Sequence, residues 1–224
     1  MTSAGTNKVA IWDLPVRICH WSFALIVPAM WWTAENSEMG WHMRLGLVLL
    51  GLVVFRILWG FLGSSTARFT RFMRGPGAVL AYFRGRGDWR HGDIGHNPAG
   101  GWSVAALLLA MLAQVSFGLF SGDPYDGATG PLNETVRAMT ADTLTELHET
   151  FFYVLVALVA LHLLAVVFYS VVKKDRIVPP MVTGKRAAPF GTAGMVAAPA
   201  WRFVVSAAIA LAVVWWVASG GPGL

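Results

Sequence analysis

The chain has 224 residues, 56% of them hydrophobic and 13% charged, with a formal net charge of +5. So apolar a composition excludes an ordinary soluble domain and makes a membrane protein the default class. The single cysteine, Cys19, excludes an internal disulfide, a four-cysteine iron–sulfur site and covalent haem attachment through C-x-x-C-H.

The N-terminus is polar up to Arg17, and the first apolar stretch ends in WWTAEN without a small-residue cleavage site, which reads as a retained anchor. Windows with few or no charges lie at 18–34, 45–63, 101–120, 150–172 and 203–219. Each is close to the roughly twenty residues a spanning helix needs. Between the second and third, RFTRFMRGPGAVLAYFRGRGDW alternates arginine with aromatic and apolar residues. It predicts short interfacial helices lying on the membrane, broken at Gly75-Pro76-Gly77. After the fourth window, Val178–Ala200 is rich in Pro, Gly and Ala and is expected to be mostly irregular. The last window has no histidine and no ionisable group after Arg202, so packing or partner contact is its expected role. The expected architecture is an all-α integral membrane protein: a four-helix bundle over residues 10–175, a cytoplasmic linker over 176–200 and a fifth transmembrane helix over 201–219.

Basic residues set the orientation. Arg68, Arg71, Arg74, Arg84, Arg86 and Arg90 follow the second window, and Lys173, Lys174, Arg176, Lys185 and Arg186 follow the fourth. Both segments are expected on the cytoplasmic side, with the N-terminus inside and the C-terminus outside. The other loops carry Glu35, Glu38, Asp123, Asp126, Glu134, Asp142 and Glu146 against Arg137. The positive charge thus belongs to the inner face and suits anionic lipid; nothing suggests a nucleic-acid module.

The segment LHETFFYVLVALVALHLL, Leu147 to Leu164, places two histidines fourteen residues apart in one apolar helix. At about 100° and 1.5 Å per residue, His148 and His162 share a face to within about 40° but differ in depth by about 21 Å. His20 lies near the inner end of the first span and His42 at the outer start of the second. Depth therefore pairs His20 with His162 and His42 with His148. Each pair joins two helices at one level, as two axial imidazoles grip an iron porphyrin. Zinc would want four tetrahedral ligands, which neither level offers. Phe151, Phe152, Gly46, Gly51, Gly118, Ala157 and Ala160 supply flat or small walls for a macrocycle. His91 and His96 fall in the arginine-rich segment, outside the expected bundle.

The segments WDLPVRICHW, WHMRLGLVL, FRILWGFLGSSTARFTRFMRGP and GHNPAGG, together with the LHE…H helix, resemble the bacterial di-haem cytochrome b561 family over about residues 10–175. That family includes the b-type cytochrome subunits of nickel–iron hydrogenases. The resemblance implies a four-helix, quinone-linked electron carrier of the bacterial inner membrane with two b haems on His20, His42, His148 and His162. A fifth span departs from the usual four-helix pattern.

Arg17, Arg44 and Arg56 lie near the two levels, where they could pair with haem propionates or snorkel to the interface. Trp12, Trp21, Trp31, Trp32, Trp41 and Trp102 sit near span ends, as an interfacial belt would. Glu149 is expected to face water, and Gln114 and Ser116 to bond across helices. The reading is a transmembrane cytochrome b passing electrons between a periplasmic partner, such as a c-type cytochrome or a hydrogenase, and quinone or quinol in the membrane. A quinone site is expected at the inner face near Trp12, Asp13 and Arg17 or the arginine-rich loop. The alternatives are a self-contained quinol oxidase acting on a small acceptor such as superoxide, a non-catalytic anchor and relay subunit, and, more remotely, a histidine-lined transporter without haem.

Overall fold

Five helices long and apolar enough to cross a membrane dominate the computed structural model, which describes residues 6–86, 94–122 and 128–221. Strand β1 (Thr6–Ala10) leads into the spans α1 (Leu14–Glu35) and α2 (Met39–Leu62). Two short helices follow, α3 (Phe69–Phe72) and α4 (Pro76–Phe83), then the third span α5 (Pro98–Phe120). A 3-10 turn at Asn133–Thr135 precedes the fourth span, α6 (Ala138–Val171). The short helix α7 (Val178–Thr183), strand β2 (Lys185–Pro189) and the fifth span α8 (Ala200–Ala218) complete the order.

Local chemistry sets the helix starts. The Asp13 carboxylate accepts from Val16 N at 2.9 Å and the Asn97 side chain from Gly100 N at 2.7 Å. Each satisfies one orphan N–H of a first turn that also contains a proline, Pro15 or Pro98. The break at Gly75-Pro76 separates α3 from α4, as expected. Helix α4 is pinned to the bundle by contact between the Tyr82 and Tyr169 hydroxyls, while Trp102 Nε1 donates to Arg74 O at 2.9 Å. Leu80 and Phe83 are left exposed, as an interfacial helix requires.

Among the described residues, the close helix packings are α1 on α2, α2 on α5, α5 on α6, and α8 on α2. None joins α6 to α1 or α2, and it is across that space that the histidines meet. Helix α8 lies along the other side of α2. Phe203 packs edge-on to Phe55 at 5.5 Å and to Trp59 at 6.1 Å, and Ser206 is fully buried with its hydroxyl donating to Arg202 O. Gly51 makes the approach possible, because a Cβ there would stand 3.0 Å from Val214. Gly51 therefore serves the fifth helix and not a macrocycle. In hydrocarbon such close contact, rather than transfer from water, is what holds helices together.

The linker after α6 is regular in its first half, where α7 and β2 form, and irregular only from there to α8. Strand β2 pairs antiparallel with β1, from Thr6 opposite Pro189 to Ala10 opposite Lys185. Ile11 N donates to Gly184 O at 2.8 Å, Met195 N to Ala10 O at 2.7 Å and Ser65 N to Val196 O at 3.0 Å. Gly184, at φ 77°, turns the chain where a Cβ would meet Trp12 O at 2.8 Å. Composition could not reveal this strap, because its partners are far off in sequence. The ribbon and the start of α8 share one end of the bundle, while Val217, near the end of α8, is buried with Leu132 at the other. Trp12 is also buried, so it is no belt residue, whereas Trp31, Trp32, Trp41 and Trp102 are exposed.

Candidate functional site

The four span histidines meet in two pairs. The ring centroids of His20 and His162 are 6.3 Å apart, and those of His42 and His148 are 6.1 Å apart. Two imidazoles bound on opposite sides of one metal, each with its nitrogen about 2 Å away and its ring centre about 1 Å further, would sit roughly 6 Å apart. Both pairs meet that requirement. Among the described residues no three His, Cys, Asp or Glu side chains gather as one donor set, so each level offers two imidazoles.

At the level of His42 and His148 both rings are fixed by backbone acceptors on another helix. His42 Nδ1 lies 2.9 Å from Met30 O on α1, and His148 Nδ1 lies 2.9 Å from Gln114 O on α5. A carbonyl can only accept, so each Nδ1 carries the proton and each Nε2 keeps a free lone pair. Gln114 returns the contact, its Nε2 donating to His148 O at 2.8 Å. Its 3.3 Å approach to His148 Nδ1 sets donor against donor and is not a bond. The His148 ring rests on Gly118, where a Cβ would come within 2.8 Å of its Cε1. Gly118 thus makes room for the His148 ring itself. Gln114 bonds across helices as expected, whereas Ser116 donates to Leu112 O of its own helix.

The level of His20 and His162 is built differently. His20 Nδ1 is buried without a hydrogen-bond partner, and the ring meets Trp21 edge-on at 5.1 Å. Arg56 is buried, its guanidinium 5.7 Å from the Phe69 ring and its Nη1 unpartnered. A buried cation with an unused donor is suited to an anionic group such as a propionate. The other two arginines are engaged: Arg17 donates to Val182 O, and Arg44 is exposed and stacks on Trp41 at 5.3 Å.

Beside this level lies a cavity of about 220 Å³ lined by Ser65, Thr66, Arg71, Phe72, Ile94, Gly95, His96, Gly194 and Val196. His96 sits between Trp12 and Phe72, 4.6 Å from each ring centre, and its enclosed Nδ1 has no partner. Burial, reinforced by Arg56 and His162, pushes its pKa down to about 3, so it is a neutral imidazole at pH 7. His96 is therefore at the bundle end and not outside it. The signal was present in GHNPAGG: Asn97 and Pro98 mark a helix start, which draws the preceding residue in. Trp12, Asp13 and Arg17 do not themselves line the cavity. Asp13 caps α1 and accepts from Trp59 Nε1 at 2.8 Å, Trp12 packs on His96, and Arg17 holds the strap. His91, Arg90, Asp123 and Asp126 lie outside the described residues. Glu149 is exposed on the surface of the chain.

Two comparisons with known proteins give matches. The profile of the family described as "Prokaryotic cytochrome b561" matches residues 11–184. The "Probable Ni/Fe-hydrogenase B-type cytochrome subunit" of Bradyrhizobium diazoefficiens is 25% identical over 217 residues, covering 82% of this chain and 88% of that protein. No solved structure matches. The strap from Lys185 onward and helix α8 lie beyond the stretch that the family profile covers.

Proposed function

The chain belongs to the prokaryotic cytochrome b561 family of multi-pass, all-α membrane cytochromes that transfer electrons, and from this we propose that it binds two b haems and joins a periplasmic redox partner to the quinone pool. The observation that carries this reading is the matched spacing of the two histidine pairs, 6.3 and 6.1 Å between ring centres. His20 and His162 hold the inner haem, and His42 and His148 the outer one. When bound, the haems supply the one-electron redox chemistry. The chain's own residues orient the ligands, exclude water and set the charge around them. Arg56 is the propionate partner of choice, because it is the buried one with a free terminal nitrogen.

Quinone is placed at the inner face, in the cavity beside His96. A neutral imidazole can bond a quinone carbonyl, and Thr66 and Arg71 add polar contacts at the wall. The name of the Bradyrhizobium relative favours a hydrogenase-like partner. The membrane is the bacterial inner membrane, with the N-terminus cytoplasmic, as the arginine bias argues. Reporter fusions should read cytoplasmic at Met1 and periplasmic at Leu224; the same face at both ends would rule out this orientation.

The direct test is a reduced-minus-oxidised spectrum with pyridine haemochrome quantification on purified protein. Two b haems per chain are expected, followed by their reoxidation when a quinone is added to the reduced protein. A colourless preparation, or a single haem per chain, would remove the two-level reading.

A further inference from the structure

We infer that the groove between α4 and Trp102 holds an acyl chain of an anionic phospholipid, whose phosphate is met by Arg84 at the end of α4. The inference needs only the membrane helices and stands apart from the haem reading.

Pro76, Val79, Leu80 and Phe83 are spaced i, i+3, i+4 and i+7, so they share one face of α4. With Trp102 they line a groove of about 330 Å³, and every side chain in its wall is apolar or aromatic. Tyr82, on another face of α4, touches Tyr169 near the end of α6, so the helix is held on one side and presents this stripe on the other. Leu80, Phe83 and Trp102 are exposed. Trp102 stands about 6 Å along a span that starts at Pro98, the level at which tryptophan sits at a membrane–water boundary. Eight helical residues make a groove about 12 Å long. That is too short to seat a partner's spanning helix of about 30 Å and suits the upper part of one acyl chain.

The charge at this end decides the headgroup. The Arg84 N–H donates to Leu80 O at 3.1 Å and closes α4, while its exposed guanidinium has no hydrogen bond or ion pair among the described residues. The tyrosine contact brings α4 to the end of α6, where Lys173 and Lys174 are exposed four and five residues beyond Tyr169. Among the described residues the acids at this end are Asp13 and Asp175, and both are engaged. Asp13 accepts from Val16 N and Trp59 Nε1, and Asp175 is paired with Arg186 at 2.6 Å. A zwitterionic headgroup would set its own cation against these basic side chains, whereas an anionic one supplies the charge they lack.

The experiment titrates the purified full-length protein, delipidated in detergent, with phosphatidylglycerol or with phosphatidylcholine of the same acyl chains, and counts bound lipid by native mass spectrometry. One phosphatidylglycerol per chain should bind ahead of any phosphatidylcholine. Arg84→Gln should weaken that phosphatidylglycerol about five-fold and leave phosphatidylcholine unchanged. Val79→Trp, which fills the groove, and Leu80→Gln, which places an amide in it, should each remove the tight lipid. Arg137→Gln makes the same charge change at the opposite end of α6 and should alter neither lipid. Visible absorbance and thermal melts, expected to be unchanged in all four variants, separate a lost site from a lost fold. Equal affinity for the two lipids would overturn the inference, as would tight phosphatidylglycerol in both groove variants or a loss in Arg137→Gln as large as in Arg84→Gln. A dimer that Val79→Trp dissociates would give the groove to a second copy of the chain and overturn it too.

Discussion

The two histidine levels have nearly equal ring spacings and unequal surroundings. At the level of His42 and His148 each imidazole is oriented by a carbonyl of another helix and His148 is seated on Gly118; at the other, His20 has no such partner and the level lies against Arg56, the strap and the His96 cavity. The pairing of rings depends only on helix geometry, so it repeats. What surrounds each pair depends on which segments close that end of the bundle, so it differs. One level is rigidly held with its second nitrogens occupied, and the other adjoins a space where a further molecule can bind.

The largest effect should come from removing a ligand. His42→Ala or His148→Ala should leave one haem per chain, with the inner signal retained, and His20→Ala or His162→Ala the reverse. Haem quantification and optical spectra, read beside thermal melts, measure it. Equal loss of both haems from four well-folded variants would break the pairing by depth.

Gly118→Ala comes next. Its new Cβ would stand 2.8 Å from His148 Cε1, and overpacking of this kind costs about 1–3 kcal/mol. The outer haem should be bound more weakly and the inner one unaffected, which titration of the apoprotein with haemin would reveal. An unchanged outer site would mean that the ring has room to shift.

A smaller change belongs to the inner cavity. His96→Leu should keep both haems and slow quinone-driven reoxidation by roughly ten-fold, as expected when a hydrogen bond of about 1–1.5 kcal/mol is lost. His96→Gln, which keeps a donor and an acceptor, should recover part of the rate. Full activity in His96→Leu would move the quinone elsewhere.

The smallest effect concerns the outer acids. If they steer a basic partner, reduction of the outer haem should slow as the Debye length falls from about 10 Å at 0.1 M salt to about 3 Å at 1 M. The triple change Glu134→Gln, Asp142→Asn and Glu146→Gln should lower the rate at low salt and flatten its salt dependence. A rate indifferent to both would leave these acids as a consequence of membrane topology alone.

Hydropathy and spacing were enough for the five spans, the break between α3 and α4 and the two pairs of span histidines, because a helix in a bilayer has a known rise, rotation and length. His148 and His162 could be placed at two levels from spacing alone, and a positional match on α1 and α2 completed the pairs. Only the tertiary structure decided the rest. Strand β2 finds β1 across more than 170 residues, Gly51 owes its lack of a side chain to Val214 on the fifth helix, and Gly118 owes its to His148. Trp12 and His96 are enclosed because the strap and the segment before α5 fold over the same end of the bundle. Apart from the helix start at Asn97 and Pro98 that flags His96, these have no local signature: each depends on contacts between segments distant in sequence, whereas periodicity and hydropathy report only on what a segment is and how deep it lies.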